Sequence, residues 1–140
     1  MLAFSLLLSL HTTAQNLQLP KLPETKEEFI NSENEFIAAE KWLETTPVGT
    51  NMDYRKLADA WVIAWLINSP TVTVGVRASI MKAFDKNKQL TGLFMAGYGR
   101  YCLENNYSKE ELKGATAGLK AVFNCYLLAE ILKKIKDLKN

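Results

Sequence analysis

Histidine is nearly missing from this chain of 140 residues: the only one, His11, lies in a segment expected to be removed after export. Without an imidazole, neither a Ser-His-Asp nor a Cys-His nucleophilic site can be assembled. Cysteine is almost as scarce, with Cys102 and Cys125 alone. That is too few for a disulfide framework, and zinc would have to rely on two distant thiols or on carboxylates, so no metal site is expected. The glycines and prolines form no GxGxxG, P-loop or EF-hand pattern, and Gly97-Tyr98-Gly99 falls inside a helical pattern, not at a strand-to-helix turn. No cofactor is expected. Long apolar runs are absent too. The run from Trp61 to Ile67 is far short of the roughly 20 residues needed to span a bilayer.

What remains is ordinary globular composition, with 48% hydrophobic residues, 23% charged residues and a net charge of +2. The charge is unevenly spread. Met1 to Asp53 holds three lysines against eight acids (−5), and Tyr54 to Asn140 holds fourteen basic residues against seven acids (+7). The basic residues alternate with acids and form no block, so helices that complement one another within one bundle are expected, and no nucleic-acid partner.

The apolar stretch Met1 to Leu10, followed by Thr12-Thr13-Ala14, has the apolar region and small-residue cleavage site of a signal peptide. No Lys or Arg precedes it, as expected where a start codon has been assigned too far downstream. Residues 1–14 are therefore expected to be a signal peptide, 15–24 an extended, mobile leader with Pro20 and Pro23, and 25–140 one helical domain. The expected location is outside the cytoplasm, in the periplasm or the medium.

Thr25-x-x-Glu28 and Ser32-x-x-Glu35 both carry the capping-box pattern, and Phe29, Phe36 and Leu43 repeat every seven residues behind them. A second helix, capped by Asn51 or Asp53, is apolar on every side from Ala60 to Ile67 and reads as the buried centre of the bundle. Val72, Val74 and Val76 have no second strand to pair with and predict an extended connector. A short helix from about Arg77 to Phe84 follows. The last two helices, Lys88 to Glu104 and one beginning at Ser108 with Glu111 as reciprocal cap, form an antiparallel hairpin about Asn106. The expected fold is all-α: a compact bundle of four main helices plus a short helix and an extended Val-rich connector.

Pivoting the hairpin about Asn106 sets Gly99 opposite Gly114, Ala96 opposite Thr116 or Ala117, and Gly92 near Lys120 or Ala121, a seam of small residues. It also separates Cys102 and Cys125 by about 20 Å along the axis, so two free, buried thiols are expected.

Tyr98, Arg100, Tyr101 and Glu104 form the densest polar-aromatic cluster and are the candidate partner-binding residues, since Arg among aromatic rings is typical of interface hot spots. Carboxylate chemistry would draw on Glu33, Glu35, Glu40, Glu44, Asp59 and Glu104. Glu40 and Glu44 read as a hydrated face, Asp59 as an ion pair with Arg55 at the core rim, and Trp42, Trp61 and Trp65 as core. The segment Leu132 to Lys139 is basic and amphipathic. Its lysines complement a helix C-terminus, and contact with an anionic membrane surface is the weaker reading. Two functions stand in competition: a non-catalytic module that binds another protein, and a carboxylate-dependent hydrolase of cell-wall glycans. A homo-oligomer is compatible with either.

Three blocks, Trp42-Leu43-Glu44-x-Thr46-Pro47, Trp65-x-x-x-Ser69-Pro70-Thr71-Val72 and Gly97-Tyr98-x-Arg100-Tyr101-x-Leu103-Glu104-Asn105, resemble the pattern of a family of small exported bacterial helical proteins. That family has no assigned activity. The resemblance implies an exported helical fold and carries over no functional residue. A more distant similarity is to small periplasmic helical proteins that act as immunity factors or acid chaperones, which usually depend on a disulfide.

Overall fold

A computed structural model describes residues 17–139, so the expected signal peptide and the first residues of the leader lie outside the described part. All regular secondary structure among the described residues is helical: α1 (Lys26–Asn31), α2 (Glu33–Thr45), α3 (Met52–Asn68), α4 (Ala78–Phe84), α5 (Lys88–Glu104) and α6 (Glu111–Leu138).

The seven-residue stripe Phe29, Phe36 and Leu43 is buried across α1 and α2, and Phe29 and Phe36 pack on Trp65 of α3. Of the three expected capping boxes, only the first forms, with Thr25 and Glu28 satisfying each other's backbone N–H groups. Ser32 does not cap α2. Its hydroxyl donates to the Phe29 carbonyl (3.0 Å) and accepts from Trp65 Nε1 (2.8 Å), so a long-range partner takes the oxygen the cap would have used. Ser108 does not cap α6 either, because that helix starts at Glu111, whose carboxylate is drawn to Arg77 Nε at 2.8 Å.

The most enclosed helix is α5, which lies against α2, α3, α4 and α6. This corrects the expectation for α3, which leaves Leu57 and Ile67 largely exposed (63% and 71%). Small residues explain the difference, since Gly92, Ala96, Gly97 and Gly99 let neighbours approach α5 from several sides. A Cβ on Gly97 would meet Ala121 Cβ at 2.7 Å, and one on Gly118 would meet the Phe94 carbonyl oxygen at 2.5 Å. The α5–α6 seam is therefore a close backbone approach. Gly99 and Gly92, however, do not face α6: Gly99 looks onto Leu66 and Phe36, and Gly92 onto Ile63 and Asp59.

Both cysteines are free and buried, as the hairpin geometry implies. Val72 is buried, with Val74 and Val76 packed beside it, in an extended segment that joins no sheet. The leader is extended but does not stand free. Leu17, Leu19 and Leu22 pack on the core, and Trp61 Nε1 donates to the Pro20 carbonyl at 2.9 Å.

Candidate functional site

Arg55, one turn into α3, is almost wholly buried. Its guanidinium donates to the carbonyls of Thr46 (2.7 Å) and Leu43 (3.0 Å), the open end of α2, and lies 3.4 Å from Cys125 Sγ. The carbonyls at a helix C-terminus lack intrahelical donors, and Arg55 supplies them. The expected Arg55–Asp59 ion pair is therefore not made. Both Asp59 carboxylate oxygens are buried without a hydrogen-bond partner among the described residues. Burial pushes the Asp59 pKa up to about 6, against the opposing attraction of Arg55.

The four nominated partner-binding residues divide. Tyr98 is only 3% exposed, with its ring against Gly114 and its hydroxyl beside Gly75. Arg100, Tyr101 and Glu104 line a cleft of about 160 Å³ between α2, α5 and α6, together with Glu40, Glu44, Lys120 and Asn124. Helical spacing explains the split. Arg100 and Glu104 share one face of α5 a turn apart, whereas Tyr98 lies on the face covered by α6.

Arg100 Nη1 donates to Glu40 Oε2 at 2.5 Å and to Glu44 Oε2 at 3.0 Å, while its Nε lies 3.5 Å from Glu104. Asn124 of α6 donates to the other oxygen of Glu44 at 2.7 Å. The hydrated face expected for Glu40 and Glu44 is overturned, because Glu40 is 0% exposed and its Oε1 has no partner among the described residues. Burial pushes the Glu40 pKa up to about 8, Arg100 acting to lower it and Glu44 adding to the rise. Burial is the largest cause and outweighs the attraction of Arg100, whose nitrogen is shared with a second carboxylate.

Paired acids of unequal pKa in a cleft are the raw material of general acid–base catalysis. A glycosidase, however, needs its two carboxyls about 5 Å or more apart with the scissile bond between them. Here a single guanidinium nitrogen of Arg100 bonds both acids. The constellation forms a polar clasp linking α2, α5 and α6.

The other unusual surface belongs to α6. Nine of the fourteen exposed large apolar side chains among the described residues lie on this helix: Leu112, Leu119, Phe123, Tyr126, Leu127, Ile131, Leu132, Ile135 and Leu138. After Cys125 no residue of α6 is buried, and every residue from Glu130 to Lys139 is exposed. By length and composition α6 could cross a membrane. Its N-terminal half, however, is packed on α5 through Gly114, Gly118 and Ala121. The segment Leu132 to Lys139 was expected to be amphipathic as well as basic. Its apolar spacing runs on beyond the last buried residue, Cys125.

Comparison of the chain with family models, with curated proteins and with solved structures returned no match.

Proposed function

We propose that the chain is an exported, non-catalytic module of the cell envelope that binds another polypeptide, and that it does so through the exposed face of α6. The bundle is read as four main helices, α2, α3, α5 and α6, with the short helix α4 and the valine connector completing the core. The single observation carrying the function is the concentration of large apolar side chains on one uncovered helix. Contiguous exposed apolar surface of this kind marks interaction sites on folded proteins. Export rests on the apolar N-terminal stretch and on the resemblance to exported helical proteins. The periplasm and the medium are both consistent with it.

The competing hydrolase reading draws on Glu40, Glu44 and Glu104. The bonds from one Arg100 nitrogen to both Glu40 and Glu44 argue against it. The experiment is crosslinking in the host, read by mass spectrometry. Intermolecular crosslinks concentrated on Lys120, Lys133 and Lys134 are expected. Absence of such links, together with cleavage of cell-wall glycan that is lost in Glu44→Gln, would overturn the binding reading in favour of the hydrolase.

A further inference from the structure

The overhang of α6 beyond Cys125, with its apolar seam, is one part of the fold left without a partner among the described residues. The valine connector is another, and it differs in kind. Thr71-Val72-Thr73-Val74-Gly75-Val76 has the alternation and the β-branched content of a strand. Its backbone is extended, with Val72 buried, Val74 and Val76 packed against the core, and Thr73 exposed. What is missing is the ladder. The Val72 N–H donates to Ser69 Oγ at 3.2 Å. The N–H groups of Thr73, Val74 and Val76 and the carbonyls of residues 72–76 have no hydrogen-bond partner among the described residues. Backbone groups of successive residues in an extended chain point to opposite sides. On one side Thr73 and Gly75 border Tyr98, Lys109 and Glu111, and the Tyr98 hydroxyl sits beside Gly75. On the other side Val72 and Val74 border a groove of about 320 Å³ walled by Leu66, Ile67 and Met95. The free N–H and C=O of Val74 therefore belong to the groove side, with the Val72 carbonyl and the Val76 N–H.

We infer that the connector is a docking edge, and that its occupant is an extended segment of another polypeptide added as a strand along Val72 to Val76, over the Leu66–Ile67–Met95 groove. The inference shares with the reading above only that the partner is a polypeptide, since the surface is a different one. The unpaired backbone groups select the occupant. An apolar face by itself would accept a helix or a lipid equally, whereas N–H and C=O groups at strand spacing are satisfied in register by another extended chain. Exposed edges are ordinarily blunted by proline or by charged side chains. Residues 71–76 carry neither. The five residues from Val72 to Val76 span about 16 Å at ~3.3 Å each, room for about four ladder bonds on the groove side. The groove supplies selectivity. Ile67 is largely exposed, and with Leu66 and Met95 it offers an apolar wall to every second side chain of an incoming strand.

The test is fluorescence polarisation of a pool of labelled octapeptides, with Val, Ile, Leu or Phe at alternate positions and Thr or Lys between, titrated with the purified full chain. Saturable binding in the micromolar range is expected from part of the pool, and the tightest member then serves as the probe. Val74→Pro deletes the N–H at the centre of the edge. Proline suits an extended backbone, and that N–H bonds nothing within the fold, so the helical circular dichroism signal should be kept. Binding is expected to weaken at least ~30-fold, as for the loss of about two ladder bonds. Thr73→Pro alters the opposite side and should bind within about threefold of wild type. N-methylation along the probe is expected to weaken binding at every second residue and to be tolerated between them. That series uses the wild-type chain and decides the matter even where a variant folds poorly. A pool with no binding member would overturn the inference, as would a probe indifferent to methylation at every position or held equally by Val74→Pro. A chain that dimerises alone, and is monomeric as Val74→Pro, would also overturn it and give the edge to a second copy. None of these outcomes bears on crosslinks at Lys120, Lys133 and Lys134, which test the α6 face separately.

Discussion

Glu40→Gln isolates the polar clasp from everything else that titrates in this protein. In the folded chain the Glu40 carboxyl is held up to about 8, whereas the unfolded chain returns it to about 4.5. Between those values the native state keeps a proton that the unfolded state releases, so stability falls as pH rises through the window. The slope reaches about 1.4 kcal/mol per pH unit, and across the whole window the loss is roughly 5 kcal/mol. That is comparable with the entire stability of many small domains. Asp59 acts in the same direction but only below about pH 6, between its ordinary 3.8 and its raised value. Urea unfolding followed by tryptophan fluorescence between pH 6.5 and pH 8 therefore reads Glu40 with little interference. The wild type is expected to lose about 2 kcal/mol over that interval through a falling midpoint at constant m-value. Glu40→Gln keeps the shape and a carbonyl for Arg100 but has nothing to ionise. As a mimic of the protonated carboxyl it should already exceed the wild type by about 2–3 kcal/mol at pH 6.5, and by about 4–5 kcal/mol at pH 8. A wild-type midpoint that is flat over this range, or a variant as steep as the wild type, would refute the reasoning.

Three further outcomes follow from the packing. Gly118→Ala should destabilise the fold by about 2–3 kcal/mol in thermal melts, because its Cβ would meet the Phe94 carbonyl at 2.5 Å, whereas Gly92→Ala, whose tightest contact is the flexible tip of Ile63 at 3.2 Å with Asp59 Oδ1 at 3.7 Å, should stay within about 1 kcal/mol of wild type. Arg55→Lys should cost about 2–3 kcal/mol in urea, since a single ammonium cannot serve both the Leu43 and Thr46 carbonyls. Cys102 and Cys125 should resist alkylation until the protein unfolds, burial having pushed the Cys102 thiol up. A Cys102–Cys125 disulfide found by mass spectrometry would mean that the α5–α6 register is wrong.

How far the sequence was legible depended on how local each cause was. Phe29, Phe36 and Leu43 announced their helix face through spacing alone, and all three are buried. The axial register of the last hairpin was also readable, because a short turn fixes which residues lie level. The rotation of each helix about its own axis was not. Gly97 faces α6 while Gly99, half a turn away, faces Leu66 and Phe36. Capping boxes failed wherever a distant residue offered a better bond: Trp65 to Ser32, and Arg77 to Glu111. Glu40 was misjudged for the same reason. Its neighbours Lys41 and Glu44 suggest a wet surface, and only the position of Arg100, sixty residues away, shows that it is enclosed.

The clasp and the overhang are connected. Glu44 is held on one oxygen by Arg100 of α5 and on the other by Asn124 of α6, one residue before the last buried position of that helix. Arg55 closes the same junction from below, binding the end of α2 and touching Cys125. Two guanidinium groups and two carboxylates therefore converge where α6 leaves the bundle. A long helix projecting into water with an apolar seam has little to fix its direction beyond the packing at its base. Here that base is fixed by hydrogen bonds from α2 and α3, with Arg100 of α5 holding Glu44 in place, and their geometry is directional in a way apolar contacts are not. The acids that resemble a catalytic pair thus fit a mechanical role. Weakening them should change the angle at which α6 presents its seam before it changes any chemistry.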